Sequence, residues 1–404
     1  MKAVVFHGIG DIRLDDVPEP TLSQPSDAIV RITTSAICGT DLYMIRGTMT
    51  GMKPGTILGH EAVGVVEQVG SEVRSFKPGD RVVIPSTIAC GYCAYCRAGY
   101  FAQCDNANPH GSLAGTSFFG GPETTGPVHG LQAEKARIPF AAVNLVPLPD
   151  AITDDQAILL SDILPTAWFG AELASVRPGR TVAIFGCGPV GQLAIACARH
   201  LRAGRIFAID EIPSRLELAR AQNAEVVDFS KEDPIEVLRS LTGGIGPDRI
   251  IDAVGVDANC AHAGPASKLA QNETERFRRE RKEVAPKSNP KGDNWHPGDA
   301  PSMALHWAVR AIAKAGTLAI IGVYPESARS FPIGEAMMKN LTLRTGNCNH
   351  RKYIPELLEL VRTGALDPTR ILTQKERFSS VIDAYQAFDR RREGWIKVEL
   401  QLAA

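Results

Sequence analysis

The stretch "TVAIFGCGPVGQLAIACARHLRAGRIFAIDE", Thr181 to Glu211, narrows the possible folds more than any other part of the chain. An apolar run ends in a glycine turn, an apolar helical pattern follows, and a second apolar run closes the unit. Strands that are apolar at nearly every position need cover on both faces, which a parallel sheet between helices provides. "AEVVDFS", "DRIIDAVG", "GTLAIIGVY" and "LTLRTGN" continue the alternation of short buried strands with helical stretches. The turn reads Gly186-x-Gly188-x-x-Gly191 between strand and helix, and Asp210 ends the next strand, 19 residues beyond Gly191. In that context Gly186 permits the tight turn, Gly188 lets the backbone approach a pyrophosphate, and Gly191 lets helix and strand pack closely. The helix N-terminus attracts the phosphates. Asp210 would accept hydrogen bonds from ribose hydroxyls and repel a 2′-phosphate, so the expected coenzyme is NAD rather than NADP. The plainer alternative is a glycine turn that binds nothing; Cys187 within it reads as a small filler.

The first 160 or so residues have a different texture. "DAIVRITTSAIC", "GHEAVGVVEQVG" and "DRVVIPSTIAC" are alternating or β-branched runs broken by Gly, Pro and Asp, a pattern that predicts a partly closed antiparallel barrel. With 44 basic against 45 acidic residues the net charge is −1, so no nucleic acid or acidic membrane is indicated as a partner. The chain opens without a charged and then apolar leader, and no apolar run reaches the roughly 18 residues of a membrane span. A cytoplasmic, reducing location is the expectation, and there clustered cysteines favour metal over disulfides. Such a cluster exists in "ACGYCAYCRAGYFAQC", where Cys90, Cys93, Cys96 and Cys104 follow the spacing C-x2-C-x2-C-x7-C. Four thiolates close a tetrahedral zinc site and leave no open position, so this lobe, about 89–105, is expected to be structural. Two disulfides or idle thiols are the bland alternative.

Between "DAVGVD" and "MALHWAVRAIAKAGTLAII", residues 258–302 are much longer than a usual connection between helix and strand. Their polar middle, "NETERFRRERKEVAPKSNPKGDN", predicts a surface loop, with a lid or a subunit contact as the sharper reading. "NPHGSLAGTSFFGGPETTGPVHG", Asn108 to Gly130, is glycine-rich and either lines a cleft or forms a plain loop. Phe101, Phe118, Phe119 and Trp168 are candidates for narrowing a substrate pocket, with core packing expected for at least two. Cys38 and His60 each sit in a Gly-bounded turn, but two ligands do not make a site.

C-G-T-D, then G-H-E, then the four-cysteine lobe, then G-C-G-P-V-G, in that order, resembles the zinc-containing medium-chain alcohol dehydrogenases across nearly the whole chain. "LLSDILPTAWFGAE", with Asp before I-L-P-T, resembles the glutathione-independent formaldehyde dehydrogenase and formaldehyde dismutase branch. The resemblance implies an α/β protein with two domains. One is a GroES-like β-barrel catalytic domain, 1–162 and 346–404; the other is a Rossmann NAD-binding domain, 163–345, carrying the insert.

It further implies two zinc ions per chain, a catalytic ion held by Cys38, His60 and Asp162 and a structural ion in the lobe. Glu61 would stand behind the catalytic ion, Asp41 would orient His60, and Thr40 would take the substrate proton. Thr166, Pro189 and Val190 belong to the coenzyme contacts, as do Gly322 and Val323 at the nicotinamide amide. Arg215 would cover the adenine, and Lys397 would lie near the pyrophosphate.

Tyr43 and Gly39 depart from the family pattern, standing where relatives carry a proton-relaying His and a phosphate-binding Arg. The activity implied is hydride transfer between NAD and an alcohol, aldehyde or aldehyde hydrate, favouring a small aldehyde such as formaldehyde. Polyol, sugar or threonine dehydrogenation is the enzymatic alternative. A zinc-stapled NAD-binding sensor or structural protein is the non-enzymatic one, and it predicts a missing ligand. All three ligands are present. A homotetramer is expected, with a homodimer as the alternative.

Overall fold

A computed structural model describes residues 1–111 and 114–402. Two compact units divide the chain: Met1–Pro165 with Asn289–Trp295 and Asn347–Ala404, and Thr166–Ser288 with His296–Gly346.

In the first unit a seven-stranded sheet runs in the order Leu372–Arg377, Lys397–Gln401, Ala28–Ile37, Ala62–Val69, Arg81–Ile84 and Val146–Pro147, with Lys135–Ile138 branching from Ala28–Ile37. A smaller sheet joins Asp11–Asp16, Lys2–Gly8 and Thr56–Ile57. The pairings are antiparallel as expected, with one exception: Leu372–Arg377 runs parallel to Lys397–Gln401, because a helix, Val381–Asp389, carries the chain back between them. Register shifts along Ala28–Ile37, between Ile29 and Val30 and between Ile32 and Thr34, mark bulges that curl the central strand pair. One end of that central strand delivers Cys38, and its partner strand is entered from His60 and Glu61.

The second unit is a six-stranded parallel sheet in the order Glu225–Asp228, Arg205–Asp210, Thr181–Phe185, Arg249–Asp252, Thr317–Ile320 and Thr342–Thr345. The first strand in sequence lies mid-sheet and the order reverses beside it, so the glycine turn sits at the topological switch point where such sheets bind ligands. Phe185, Phe207, Ile209, Ile250, Leu318 and Trp307 form its core.

The insert corrects the expectation of a surface loop. Ala266–Asn272 and Thr274–Val284 are helices. Phe277 and Val284, two turns apart, are buried with Glu280 on one face of the second helix. Arg276 bridges Glu273 at 2.6 Å and Glu280 at 3.2 Å. The charged sequence conceals a narrow apolar stripe. Asn289–Trp295 then packs as part of the first unit. Asn289 Nδ2 donates to the carbonyl of Ile9, the Trp295 N–H donates to Asp389 Oδ2 at 2.8 Å, and the indole is buried among Phe6, Leu42, Phe378 and Tyr385.

Candidate active site and coenzyme turn

Three short structural decisions place the catalytic candidates. Cys38 precedes the helix Gly39–Arg46, and its N–H donates to Asp41 Oδ2 at 3.0 Å, so the thiol sits at a helix N-terminus where negative charge is favoured. His60 follows Gly59, whose φ is +89° and whose absent Cβ would lie 2.3 Å from Gln132 Cγ, so only glycine fits. Asp162 occupies the break between helices Asp154–Ser161 and Ile163–Leu173. Ser161 pins that break: its hydroxyl donates to Ile84 O at 2.5 Å and accepts from the Ala62 N–H at 3.1 Å. Ser35 Oγ ties the Glu61 carbonyl to the central strand at 2.7 Å.

The result is one buried cluster whose ligand atoms, from Cys38, His60 and Asp162, all lie within 4.8 Å of one another. His60 Nε2 is 3.2 Å from Asp162 Oδ2, and Cys38 Sγ is 3.7 Å from the same oxygen. Zinc about 2.0 Å from N and O and about 2.3 Å from S sets tetrahedral edges of about 3.3 Å and 3.6 Å. Both ring nitrogens of His60 are buried without a well-directed hydrogen bond, despite the 3.2 Å separations of Nδ1 from Asp41 and of Nε2 from Asp162. Donors at ligand-edge spacing that do not point at each other fit a common ion. Burial opposes charge on Asp162, but the hydrogen bond from His350 and the nearness of the His60 ring outweigh it and hold the carboxyl well below its usual range. The site is set to offer a carboxylate.

Thr40 Oγ1 lies 3.8 Å from Cys38 Sγ, the nearest hydroxyl named by the sequence reading. Glu61 is not part of the ligand cluster: one carboxylate oxygen is held by Lys397, and the other, buried, has no hydrogen bond. Lys397 is fully buried; it donates also to the Ile37 carbonyl at 3.0 Å. Burial works against its charge, but Glu61 outweighs this and keeps the ammonium above its usual range. Its charge is paired with Glu61 inside the first unit.

Phe118 meets the His60 ring edge-on at 6.1 Å. Phe119 and Trp168 are core residues, and Phe101 packs on the cysteine lobe. Within the glycine-rich stretch, Ser112 and Leu113 lie outside the described residues.

Sequence reading missed His350, which donates to Asp162 Oδ1 at 2.6 Å while Thr87 Oγ1 lies 3.1 Å from its other ring nitrogen. It also missed Tyr385, whose hydroxyl donates to Gln132 behind His60. Neither carries a local motif.

In the lobe, Cys90 and Cys96 sulfurs are 4.0 Å apart, as are those of Cys93 and Cys104, near the roughly 3.8 Å edge of a four-sulfur zinc site. The N–H groups of Tyr92 and Cys93 point at Cys90 Sγ, and that of Cys90 at Cys104 Sγ. Backbone donors of this kind stabilise thiolates, and all four cysteines are free of disulfides.

The coenzyme turn is built as its glycines require. A Cβ on Gly191 would lie 1.8 Å from the Gly186 carbonyl oxygen, and Gly186 has φ +85°. Gly188 caps the helix Pro189–His200, with Val190 in its first turn, and a Cβ there would meet only the Arg215 guanidinium, at 3.8 Å. That open approach to a helix N-terminus suits a phosphate. Asp210 accepts the N–H groups of Cys187, Glu211 and Ile212 at 2.7, 2.8 and 3.0 Å, which fixes both oxygens at the end of its strand. Arg215 lies 3.7 Å from Asp210, beside the turn. Gly322 packs on the Gly255 backbone and its N–H donates to Asp252 O, and the Val323 carbonyl accepts from the Val256 N–H. Thr166 is half-buried in the helix Ile163–Leu173.

The barrel unit, the parallel sheet and the two thiol-bearing clusters together define a zinc-type dehydrogenase. Residues 24–150 match the alcohol dehydrogenase GroES-like domain, and residues 189–264 match the zinc-binding dehydrogenase domain. A zinc-type alcohol dehydrogenase-like protein of Bacillus subtilis is 35% identical, over 99% of this chain and 100% of its own. One from Schizosaccharomyces pombe is 34% identical over 98% and 90%. The alcohol dehydrogenase TADH from Thermus sp. ATN1 superposes with a TM-score of 0.79 at 33% identity, with both chains fully covered. A glutathione-independent formaldehyde dehydrogenase of Pseudomonas aeruginosa is 38% identical over 64% of this chain and 66% of its own. The chain belongs to the zinc-containing medium-chain alcohol dehydrogenase family and is an oxidoreductase. Among the described residues no helix is long and apolar enough to cross a membrane.

Proposed function

We propose that this dehydrogenase moves a hydride between NAD and a small alcohol, aldehyde or aldehyde hydrate, with one catalytic and one structural zinc per chain. The convergence of Cys38, His60 and Asp162 at ligand-edge distances carries the reading. When bound, the catalytic ion supplies Lewis-acid polarisation of the reacting oxygen. Asp41 Oδ1 stands 3.2 Å behind His60 Nδ1, and the Thr40 hydroxyl accepts a hydrogen bond from the alcohol and relays its proton to water. The second unit holds NAD through Gly186, Gly188, Pro189, Val190, Gly191, Asp210 and Arg215, with Thr166, Gly322 and Val323 at the nicotinamide. Asp210 supports NAD over NADP.

A carboxylate ligand in place of a second thiolate makes a harder ion, which favours oxygen-rich substrates such as hydrated formaldehyde. The Phe118 ring against His60 also favours small ones. A panel of alcohols and aldehydes with NAD and NADP, together with a run lacking added coenzyme, tests the reading. Turnover with NAD and short aldehydes is expected, and turnover without added NAD would reveal retained coenzyme and dismutation. Absence of any NAD-dependent turnover would overturn it.

A second copy of the chain is the proposed partner. The edge strand Thr342–Thr345 is wholly exposed, and the preceding helix exposes Ile333, Met337 and Met338 at 57%, 71% and 85%. Such an unprotected edge invites strand pairing. A Leu343→Lys change should shift the protein towards monomers in light scattering; unchanged mass would exclude this edge.

A further inference from the structure

Asp162 uses its two oxygens differently. Oδ2 faces the ligand cluster, 3.2 Å from His60 Nε2 and 3.7 Å from Cys38 Sγ. Oδ1 receives the Nε2–H of His350 at 2.6 Å. His350 opens the helix His350–Arg362, and its Nδ1 is 3.1 Å from Thr87 Oγ1. Because an ionised carboxylate oxygen can only accept, the ring donates to Asp162 through Nε2, and Thr87 holds the other ring nitrogen. The imidazole is 4% exposed and Thr87 is 5% exposed. Asn349, next to His350, accepts the Ala102 N–H at 2.9 Å and secures the start of this helix. The arrangement is buried and contained in the first unit.

A carboxylate can bind an ion through one oxygen or two, and swinging between these modes changes the coordination number. A strong donor on Oδ1 removes the second mode. We propose that His350 is a positioning residue that confines Asp162 to ligation through Oδ2, with Thr87 steadying the far side of its ring. This keeps the ion's fourth position open for substrate. The role rests on the zinc reading above. Partners at this remove are generally worth about 10–100-fold in metal affinity.

The test is zinc release from the purified protein to a chromogenic chelator. The lobe zinc serves as an internal control, and far-UV dichroism reports folding. Wild type should release two equivalents in two phases. His350→Leu should accelerate one phase about 10–100-fold and leave the lobe phase unchanged. His350→Gln keeps an N–H donor near the Nε2 position and should restore the slow release to within about 3-fold. A His350→Leu protein that releases zinc at the wild-type rate would overturn the proposal, as would equally fast release from His350→Leu and His350→Gln. A wild-type protein holding only the lobe zinc would sink the catalytic-zinc reading itself, and that count is made before any variant is compared.

Discussion

The two metal-ready clusters of the first unit are opposites in construction. The lobe takes four sulfurs from fifteen consecutive residues, Cys90 to Cys104, and braces them with its own backbone N–H groups. The catalytic cluster takes one thiol, one imidazole and one carboxylate from a strand end, a glycine turn and a helix break, with His350 from a fourth element behind them. A locally built site can be closed and saturated. A site assembled from distant elements can leave one direction open, and it depends on everything that holds those elements in register.

Removing one ligand from each cluster should therefore have unlike consequences. Cys38→Ala should lower turnover by at least about 10³-fold, because an ion worth several kcal/mol at the transition state is lost. One zinc should remain, and melting should change little. Turnover within 10-fold of wild type would break the comparison. Cys96→Ala should do the reverse: lose the lobe zinc, cost about 4 kcal/mol or more locally, and expose 89–105 to limited proteolysis. If the lobe stayed protease-resistant, it would not be a metal clasp.

Gly59→Ala probes the dependence on distant elements without touching a ligand. The strain at φ +89° and the 2.3 Å approach to Gln132 should displace His60 and lower kcat about 10²-fold, with the lobe zinc retained. The smallest effect lies outside both clusters. Burial first, and then the charges of Arg276 and Arg310, push His306 down to about 4. The unfolded chain therefore takes up a proton near pH 6.5 that the folded chain refuses until about pH 4, so stability falls as pH drops through that window. Across the first pH unit below 6.5 the loss is about 1 kcal/mol. His306→Gln should flatten that part of the pH–stability curve; an unchanged curve would remove His306 as its cause.

What could be read from the sequence follows the same division. The lobe and the glycine turn are local, so spacing alone exposes them. Cys38 and His60 were visible only as isolated turns, and Asp162 only through a resemblance, because their convergence depends on strand register and on Ser161. His350 sits at the start of a helix 188 residues from the carboxylate it holds, with nothing around it to distinguish it from an ordinary core histidine. The insert was misread because Phe277 and Val284 are sparse among charges, and because the role of Trp295 lies in the other unit's core. Lys397 was named by likeness alone, because its partner Glu61 lies 336 residues away in the sequence.

The most direct measurement is an anomalous difference map at the zinc edge from crystals of the protein. Two peaks per chain are predicted. One should be equidistant from the four lobe sulfurs, and the other about 2.3 Å from Cys38 Sγ and about 2.0–2.2 Å from His60 Nε2 and a single oxygen of Asp162. A lone peak in the lobe, or a second peak away from those three atoms, would contradict the account.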